Sequence, residues 1–98
     1  MKLEIAPRAV SEAERCARWW REKRPAARML FEKELLDALD RIRVAPLSGN
    51  AYLAIPGREH RRVLMPESRY HVYYRVAGPD HVRVVAIWSA VRGRGPTL

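Results

Sequence analysis

The sequence predicts one α+β domain in which a helical hairpin packs on one face of a mostly antiparallel sheet, in the order β-α-α-β-β-β. Apolar residues recur at helical spacing through the first half of the chain, which indicates two amphipathic helices. In the second half they alternate with polar residues, which indicates strands. A length of 98 residues fits a single domain that spans residues 1–98.

The first half of the chain is predicted to form a short strand and then two helices. Residues 2–6 alternate between charged and apolar side chains, as an opening strand does. Helical spacing begins at Arg8, and Pro25 separates this first helix from a second one over Ala26–Val44. Because the connection is short, the two helices are expected to form an antiparallel hairpin.

The second half of the chain is predicted to form the rest of the sheet. Residues 46–57 are rich in turn-forming residues and indicate a loop, with room for a brief extended piece at Tyr52–Ile55. Three runs rich in β-branched and aromatic residues follow, and proline-containing turns join them. These runs are Arg61–Met65, Tyr70–Ala77 and His81–Ser89.

Alternation along the last two strands separates a face under the helices from a face that the helices leave uncovered, which is called the open face below. Strict alternation predicts that four residues of the last strand form the floor under the helices: Val82, Val84, Ala86 and Trp88. It places these residues on the open face, with Arg62 beside them: His71, Tyr73, Arg75 and Arg83. Such side chains could hold phosphates and stack a base, although an uncovered sheet face is polar in any case.

The basic charge of the chain is larger in its second half. The net charge is +8, and residues 50–98 contain eight arginines against three acidic residues. A basic C-terminal half suits binding to nucleic acid or to an acidic protein segment. High arginine content alone is also compatible with a GC-rich genome, so charge by itself leaves the function open.

The sequence predicts a cytoplasmic protein without a metal or a cofactor. No apolar run approaches the roughly 20 residues of a membrane span, and the charged N-terminus does not resemble a signal peptide. Cys16 is the one cysteine and suits a reducing compartment. His60 and His81 have no second ligand at the spacing of a metal site.

Two motifs near the C-terminus carry a family resemblance. Residues 70–76 read YHVYYRV, an aromatic-rich strand of the form Y-x-v-x-Y-x-v. Residues 84–96 read VVAIWSAVRGRGP, a strand that ends in a small arginine-bearing motif. In their order and spacing, and in the predicted succession of elements, these motifs resemble the RelE/ParE toxins of bacterial type II toxin–antitoxin systems. The resemblance covers nearly the whole chain.

The resemblance implies a growth-inhibiting toxin that a cognate antitoxin neutralises. RelE-like members cut messenger RNA on the ribosome, whereas ParE-like members poison DNA gyrase and are not nucleases. It favours the ParE-like activity here, with the mRNA endoribonuclease as the alternative. A third possibility, which the charge alone suggests, is a nucleic-acid-binding protein without toxicity.

The preference for a ParE-like toxin depends on an incomplete nuclease pattern. In the RelE pattern two basic residues alternate on the first strand of the hairpin; Arg62 matches one, but Leu64 occupies the other. His71 falls at the next basic position and could titrate near neutral pH, and Arg92 matches the arginine after the last strand. Leu98 stands where the pattern has a tyrosine. A nuclease would therefore have to use His71, Arg62 and Arg92.

Two interaction surfaces complete the expectations. Target or nucleic-acid binding is expected from the basic second half, through Arg61, Arg62, His71, Tyr73, Arg75, Arg83, Arg92 and Arg94. Antitoxin binding is expected from apolar residues that helical geometry turns away from the core, namely Trp19, Met29 and Leu36. The alternative is that these three residues form a partly covered edge.

Overall fold

The computed structural model describes residues 1–55 and 57–98, without the side chains of residues 53–55 and 58. It confirms the predicted α+β fold, with two helices on one face of a sheet. The elements are β1 (Lys2–Ile5), α1 (Pro7–Lys23), a 3₁₀ turn (Pro25–Ala27), α2 (Leu30–Val44), β2 (Asn50–Ile55), β3 (Arg58–Met65), β4 (Tyr70–Gly78) and β5 (His81–Ser89).

The sheet has five strands in the order β1-β5-β4-β3-β2. β1 runs parallel to β5, and the other neighbours are antiparallel. The predicted order lacked β2, which was expected to be a loop with a brief extended piece. Its own alternation is short, and its register against β3 shifts between Ala51 and Leu53. β2 is therefore a strand because it pairs with β3, and its own residues do not reveal that pairing.

Both helices are present as predicted, but their first residues differ from the prediction. α1 starts at Pro7, one residue before the predicted Arg8, and proline suits this first position because its missing N–H has no helical partner there. α2 starts at Leu30 instead of the predicted Ala26. The intervening residues form the 3₁₀ turn, in which the Ala27 N–H donates to the carbonyl of Arg24. No helix in residues 1–55 and 57–98 is both long and apolar enough to cross a membrane.

The core lies between the helices and one face of the sheet. α1 packs mainly on β5, while α2 packs on β3 and β4. α2 contributes Phe31, Ala38 and Ile42, whose side chains are fully buried, and α1 contributes Ala9, Ala17 and Trp20. Val72 and Tyr74 from β4 meet them from the sheet. This burial supplies the main driving force for folding.

A bulge in β5 changes which residues face the helices. Tyr74 pairs with Val84, but the preceding Tyr73 pairs with Ala86, so Val85 has no residue directly opposite it. The extra residue reverses the alternation along the rest of the strand. The prediction of strict alternation is therefore wrong beyond Val84.

The reversal exchanges a tryptophan for an isoleucine in the core. Val82 and Val84 lie under the helices as predicted, and both are fully buried. Beyond the bulge Ile87 joins them, whereas Ala86 and Trp88 do not belong to this core. Placing Ala86 and Trp88 in the floor was wrong because a single unpaired residue turned both toward the other face.

Candidate functional site

Residues 94–98, called the tail below, cross the open face. The indole Nε1 of Trp88 donates a hydrogen bond of 3.0 Å to the carbonyl of Arg94. The guanidinium of Arg8, at the start of α1, donates to the carbonyl of Thr97. The sequence predicted an uncovered open face, but the tail folds back over part of it.

The tail contacts Tyr52, which packs on Tyr73 of the open face. Pro96 is buried, and a Cβ added at Gly95 would overlap the hydroxyl of Tyr52. Tyr52 in turn packs edge to face on Tyr73, with ring centroids 4.7 Å apart. Tyr73 is only 1% exposed. In this conformation Tyr73 offers no ring face to a base, so its predicted stacking role does not fit the structure.

Arg75 and Arg83 lie on the open face, directly opposite each other on β4 and β5. Arg83 forms an ion pair with Glu4 of β1, and Glu4 also lies 2.8 Å from the imidazole of His81. The hydrogen bond from Arg83, followed by that from His81, lowers the pKa of Glu4. Both arginines line a cavity of about 320 Å³ with Leu98 of the tail. This end of the open face is basic, but the tail limits access to it.

The structure brings together Arg62 and His71 of the predicted nuclease set. The Arg62 guanidinium lies over the Tyr52 ring at 5.2 Å and 3.4 Å from the Tyr73 hydroxyl, while the His71 ring lies 5.9 Å from that of Tyr73. Burial, and then the charge of Arg62, lowers the pKa of His71. Both effects favour the neutral imidazole. Leu64, the residue paired with His71, is 42% exposed and supplies no charge.

Arg92, the third residue of that set, comes from the segment after β5. Its guanidinium stacks over the Trp88 ring at 4.5 Å, and it lines a groove with Cys16 and Tyr70. Trp88 is the cross-strand partner of His71, and the bulge turns it to the open face, so Arg92 approaches that end of the face from the segment after β5. That the three residues form one catalytic set stays a prediction.

Two further predicted target-binding arginines have different surroundings. Arg61 follows the helix-side parity of β3, and its guanidinium donates to the carbonyls of Leu47 and Gly49 at 3.3 and 2.9 Å. It holds the loop before β2 from the helix side of the sheet and does not share the open face with Arg62, so its role in target binding stays a prediction. Arg94 is exposed at the start of the tail, where a ligand can reach it.

The groove beside α1, called the α1 groove below, was not predicted. It has a volume of about 880 Å³ and lies between α1, the turn after β3 and the end of β5. Four arginines line it, namely Arg15, Arg24, Arg69 and Arg92. They come from separate segments, so only the tertiary structure reveals the cluster. The exposed arginines on α1 were the available signal.

The three residues predicted to bind an antitoxin are all exposed. Trp19, Met29 and Leu36 are 47%, 53% and 68% exposed, respectively. Trp19 lies in the α1 groove, whereas Leu36 lies on α2 and Met29 directly precedes that helix. Among the described residues no group of three or more His, Cys, Asp or Glu side chains is placed to hold a metal ion.

Comparison with known proteins identifies the family. Residues 3–93 match the family model of the ParE toxin of the type II toxin–antitoxin system parDE. A sequence search found no significant match among curated proteins.

Two solved structures share the fold at low sequence identity. A chain of the chromosomal ParDE system from P. aeruginosa matches with a TM-score of 0.70 and 14% identity, over 91% of this chain and 95% of that one. The isolated RelE toxin of E. coli matches with a TM-score of 0.56 and 21% identity, over 94% of this chain and 86% of that one. Since the ParE model matches nearly the whole length, the chain belongs to the ParE toxin family of type II toxin–antitoxin systems.

Proposed function

We propose that this ParE-family chain arrests growth by poisoning DNA gyrase, without cutting RNA, and that a cognate antitoxin holds it inactive. The observation that carries the proposal is the loss of two nuclease positions, because Leu64 and Leu98 stand where the RelE pattern has a basic residue and a tyrosine. Arg62 and His71 lie together on the open face, and Arg92 stacks on Trp88, the cross-strand partner of His71.

RNA cleavage requires several groups around one phosphate. A base must take the 2′-hydroxyl proton, an acid must protonate the leaving oxygen, and cations must stabilise the charge that develops. The lowered pKa of His71 favours an imidazole that can accept a proton, but Leu64 beside it supplies neither an acid nor a cation. Leu98 replaces the pattern's tyrosine. A gyrase poison needs no such set, which supports the non-nucleolytic function.

Two measurements on the same protein test the target. We expect the purified chain to inhibit supercoiling by gyrase, and messenger RNA to remain intact in cells arrested by its expression. His71→Ala should retain both behaviours, because His71 has no catalytic duty in this proposal. Ribosome-dependent cleavage of messenger RNA that His71→Ala abolishes would refute the proposal in favour of the nuclease.

The partner is tested by expression with and without the neighbouring open reading frame. Growth arrest that the neighbour relieves is expected for a toxin with a cognate antitoxin. Absence of arrest by soluble, folded protein would instead support the non-toxic nucleic-acid-binding protein.

The antitoxin is proposed to cover the exposed apolar residues of the helical hairpin. Exposed apolar side chains at helical spacing suit the apolar face of a partner segment. Leu36→Glu and Met29→Glu should each weaken co-purification of the antitoxin. Val76→Glu is the matched control, because Val76 is also exposed, at 42%, but lies on β4. Equal losses in all three variants would contradict this assignment.

A further inference from the structure

The α1 groove gathers positive charge that the protein itself leaves uncompensated. Arg15 lies on α1 and Arg24 directly follows that helix, while Arg69 comes from the turn after β3 and Arg92 from the segment after β5. Among the described residues none of the four forms an ion pair. Like charges that converge on one groove repel one another, and a bound anion would offset that repulsion.

The acidic residues of the groove do not neutralise this charge. Glu12 is buried, and its carboxylate accepts the Ile87 N–H at 2.9 Å and the Arg8 guanidinium at 3.2 Å. The negative charge of Glu12 is therefore compensated by Arg8 and by the backbone N–H of Ile87, and not by the arginines of the groove. Glu67 is the other carboxylate in the lining. The groove therefore presents an excess of cations to a ligand.

Arg69 occupies a backbone conformation that favours glycine. Its φ is +65°, in the left-handed region, and it is the one non-glycine residue with positive φ in residues 1–55 and 57–98. Its N–H donates to the Met65 carbonyl at 2.9 Å, and its carbonyl accepts the Ala90 N–H at 2.8 Å. Glycine would fit this turn with less strain, so the arginine side chain points to a role beyond the turn.

Aromatic rings hold two of the guanidiniums in place. Arg92 lies over Trp88 at 4.5 Å and Arg24 over Trp20 at 5.4 Å. A guanidinium stacked in this way keeps its N–H edge available for bidentate contact with a phosphate. Trp19 packs against Trp20 and remains 47% exposed, so one indole is accessible for stacking.

We propose that the α1 groove binds the phosphodiester backbone of a nucleic acid, with its four arginines on the phosphates. Four arginines against two carboxylates, one of which already accepts hydrogen bonds from Arg8 and Ile87, suit the repeated phosphates of a nucleic acid, and an acidic protein segment is the occupant that the test must exclude. Binding by the groove does not depend on the proposed function. Only the identity of the nucleic acid in the cell rests on it, because a gyrase poison would meet the DNA that gyrase holds.

Salt-dependent binding tests the groove without gyrase. Fluorescence anisotropy with a labelled DNA duplex and with a labelled single-stranded RNA measures Kd over a range of salt concentrations. Four phosphate contacts predict a slope of log K against log salt of roughly −3.6 for duplex DNA. Tighter binding of the duplex assigns DNA as the source, and tighter binding of the single strand assigns RNA.

Matched arginine variants separate the groove from general basicity. Arg15→Gln should reduce the slope by about one and weaken binding about eightfold at roughly 0.1 M salt. Arg18→Gln should leave both unchanged, because Arg18 is an exposed arginine of the same helix that does not line the groove. Arg69→Gly should weaken binding as Arg15→Gln does, and it relieves the turn, so misfolding would not explain the loss.

Three results would overturn the inference. These are the absence of salt-dependent binding, equal losses in Arg15→Gln and Arg18→Gln, and binding of an acidic peptide such as polyglutamate but of neither nucleic acid. Gyrase inhibition is read separately. DNA binding through the groove by a protein that does not inhibit gyrase would refute the proposed function and leave this inference standing.

Discussion

Glu34 holds the turn that carries Arg69, and its replacement gives a sharp prediction. The side chain extends from α2 and is only 9% exposed. Its carboxylate accepts three hydrogen bonds, from the Glu67 N–H at 3.0 Å and from the Ser68 N–H and hydroxyl at 2.7 Å each. We expect Glu34→Gln to destabilise the protein by about 2 kcal/mol, because hydrogen bonds to a charged group contribute roughly 1.5–3 kcal/mol.

The geometry sets this magnitude. One carboxylate oxygen of Glu34 accepts both hydrogen bonds from Ser68, and the other accepts the hydrogen bond from Glu67. A glutamine can place its amide oxygen to accept the two bonds from Ser68, but its NH₂ group then faces the N–H of Glu67, and two donors cannot bond to each other. One bond is lost, and the other two lose the benefit of the charge. In a domain of this size a loss of about 2 kcal/mol lowers Tm by roughly 8–16 °C. Glu32→Gln is the control, since Glu32 lies on the same helix as Glu34 but forms only a surface ion pair, with Arg21 of α1, which contributes at most about 1 kcal/mol.

The effect of Glu34 also depends on pH. Burial raises its pKa, but the hydrogen bonds from Ser68 and Glu67 outweigh this and lower the pKa below the ordinary value of 4.5. A lowered folded-state pKa gives stability that is present above pH 4.5 and is lost as pH falls through the folded-state value. Urea unfolding of wild type and Glu34→Gln should therefore differ most near pH 7 and converge in acid. A gap below about 0.5 kcal/mol at pH 7, or one that stays constant in acid, refutes the reasoning.

Two further predictions concern the loop and the tail. Tyr74→Phe should lose about 2 kcal/mol in urea unfolding, because the buried hydroxyl accepts the Gly49 N–H at 3.1 Å and donates to the Pro46 carbonyl at 2.7 Å; unchanged stability would contradict this. Gly95→Val should detach the tail by collision with Tyr52, and iodination followed by mass spectrometry should then label Tyr73, whereas Thr97→Val should not. A Tyr73 that stays protected in Gly95→Val would show that the tail is not its cover.

The fold could be predicted where local pattern and tertiary packing agree. The helical spacing of Phe31, Ala38 and Ile42 matches their burial, and Pro25 does separate two helices. β2 could not be predicted because its pairing with β3, and not its own alternation, makes it a strand. Local propensity is a weak guide where a strand depends on its neighbour.

The candidate surfaces were harder to predict, because each depends on contacts between distant segments. Arg75 of β4 and Arg83 of β5 lie on the open face as predicted, since they pair with each other in the part of β5 before the bulge. Tyr73 is packed against Tyr52, which the tail contacts more than 20 residues later in the chain, and the glycine and proline of that tail indicated only that β5 had ended. The α1 groove joins arginines from three segments, and no linear pattern relates them.

The bulge at Val85 leads to a prediction about register. The cross-strand pairs on either side of it differ by one residue, so deleting Val85 leaves a regular strand with every remaining pair unchanged. We expect the deletion to cost only about 1–2 kcal/mol, in the range of an ordinary single substitution. Ile87→Ala, at a core position that is 3% exposed, should cost about 2–5 kcal/mol both with and without Val85. If removing Val85 makes Ile87→Ala harmless, the strand has slipped by one residue, and the bulge is then what keeps Ile87 in the core and Trp88 out of it.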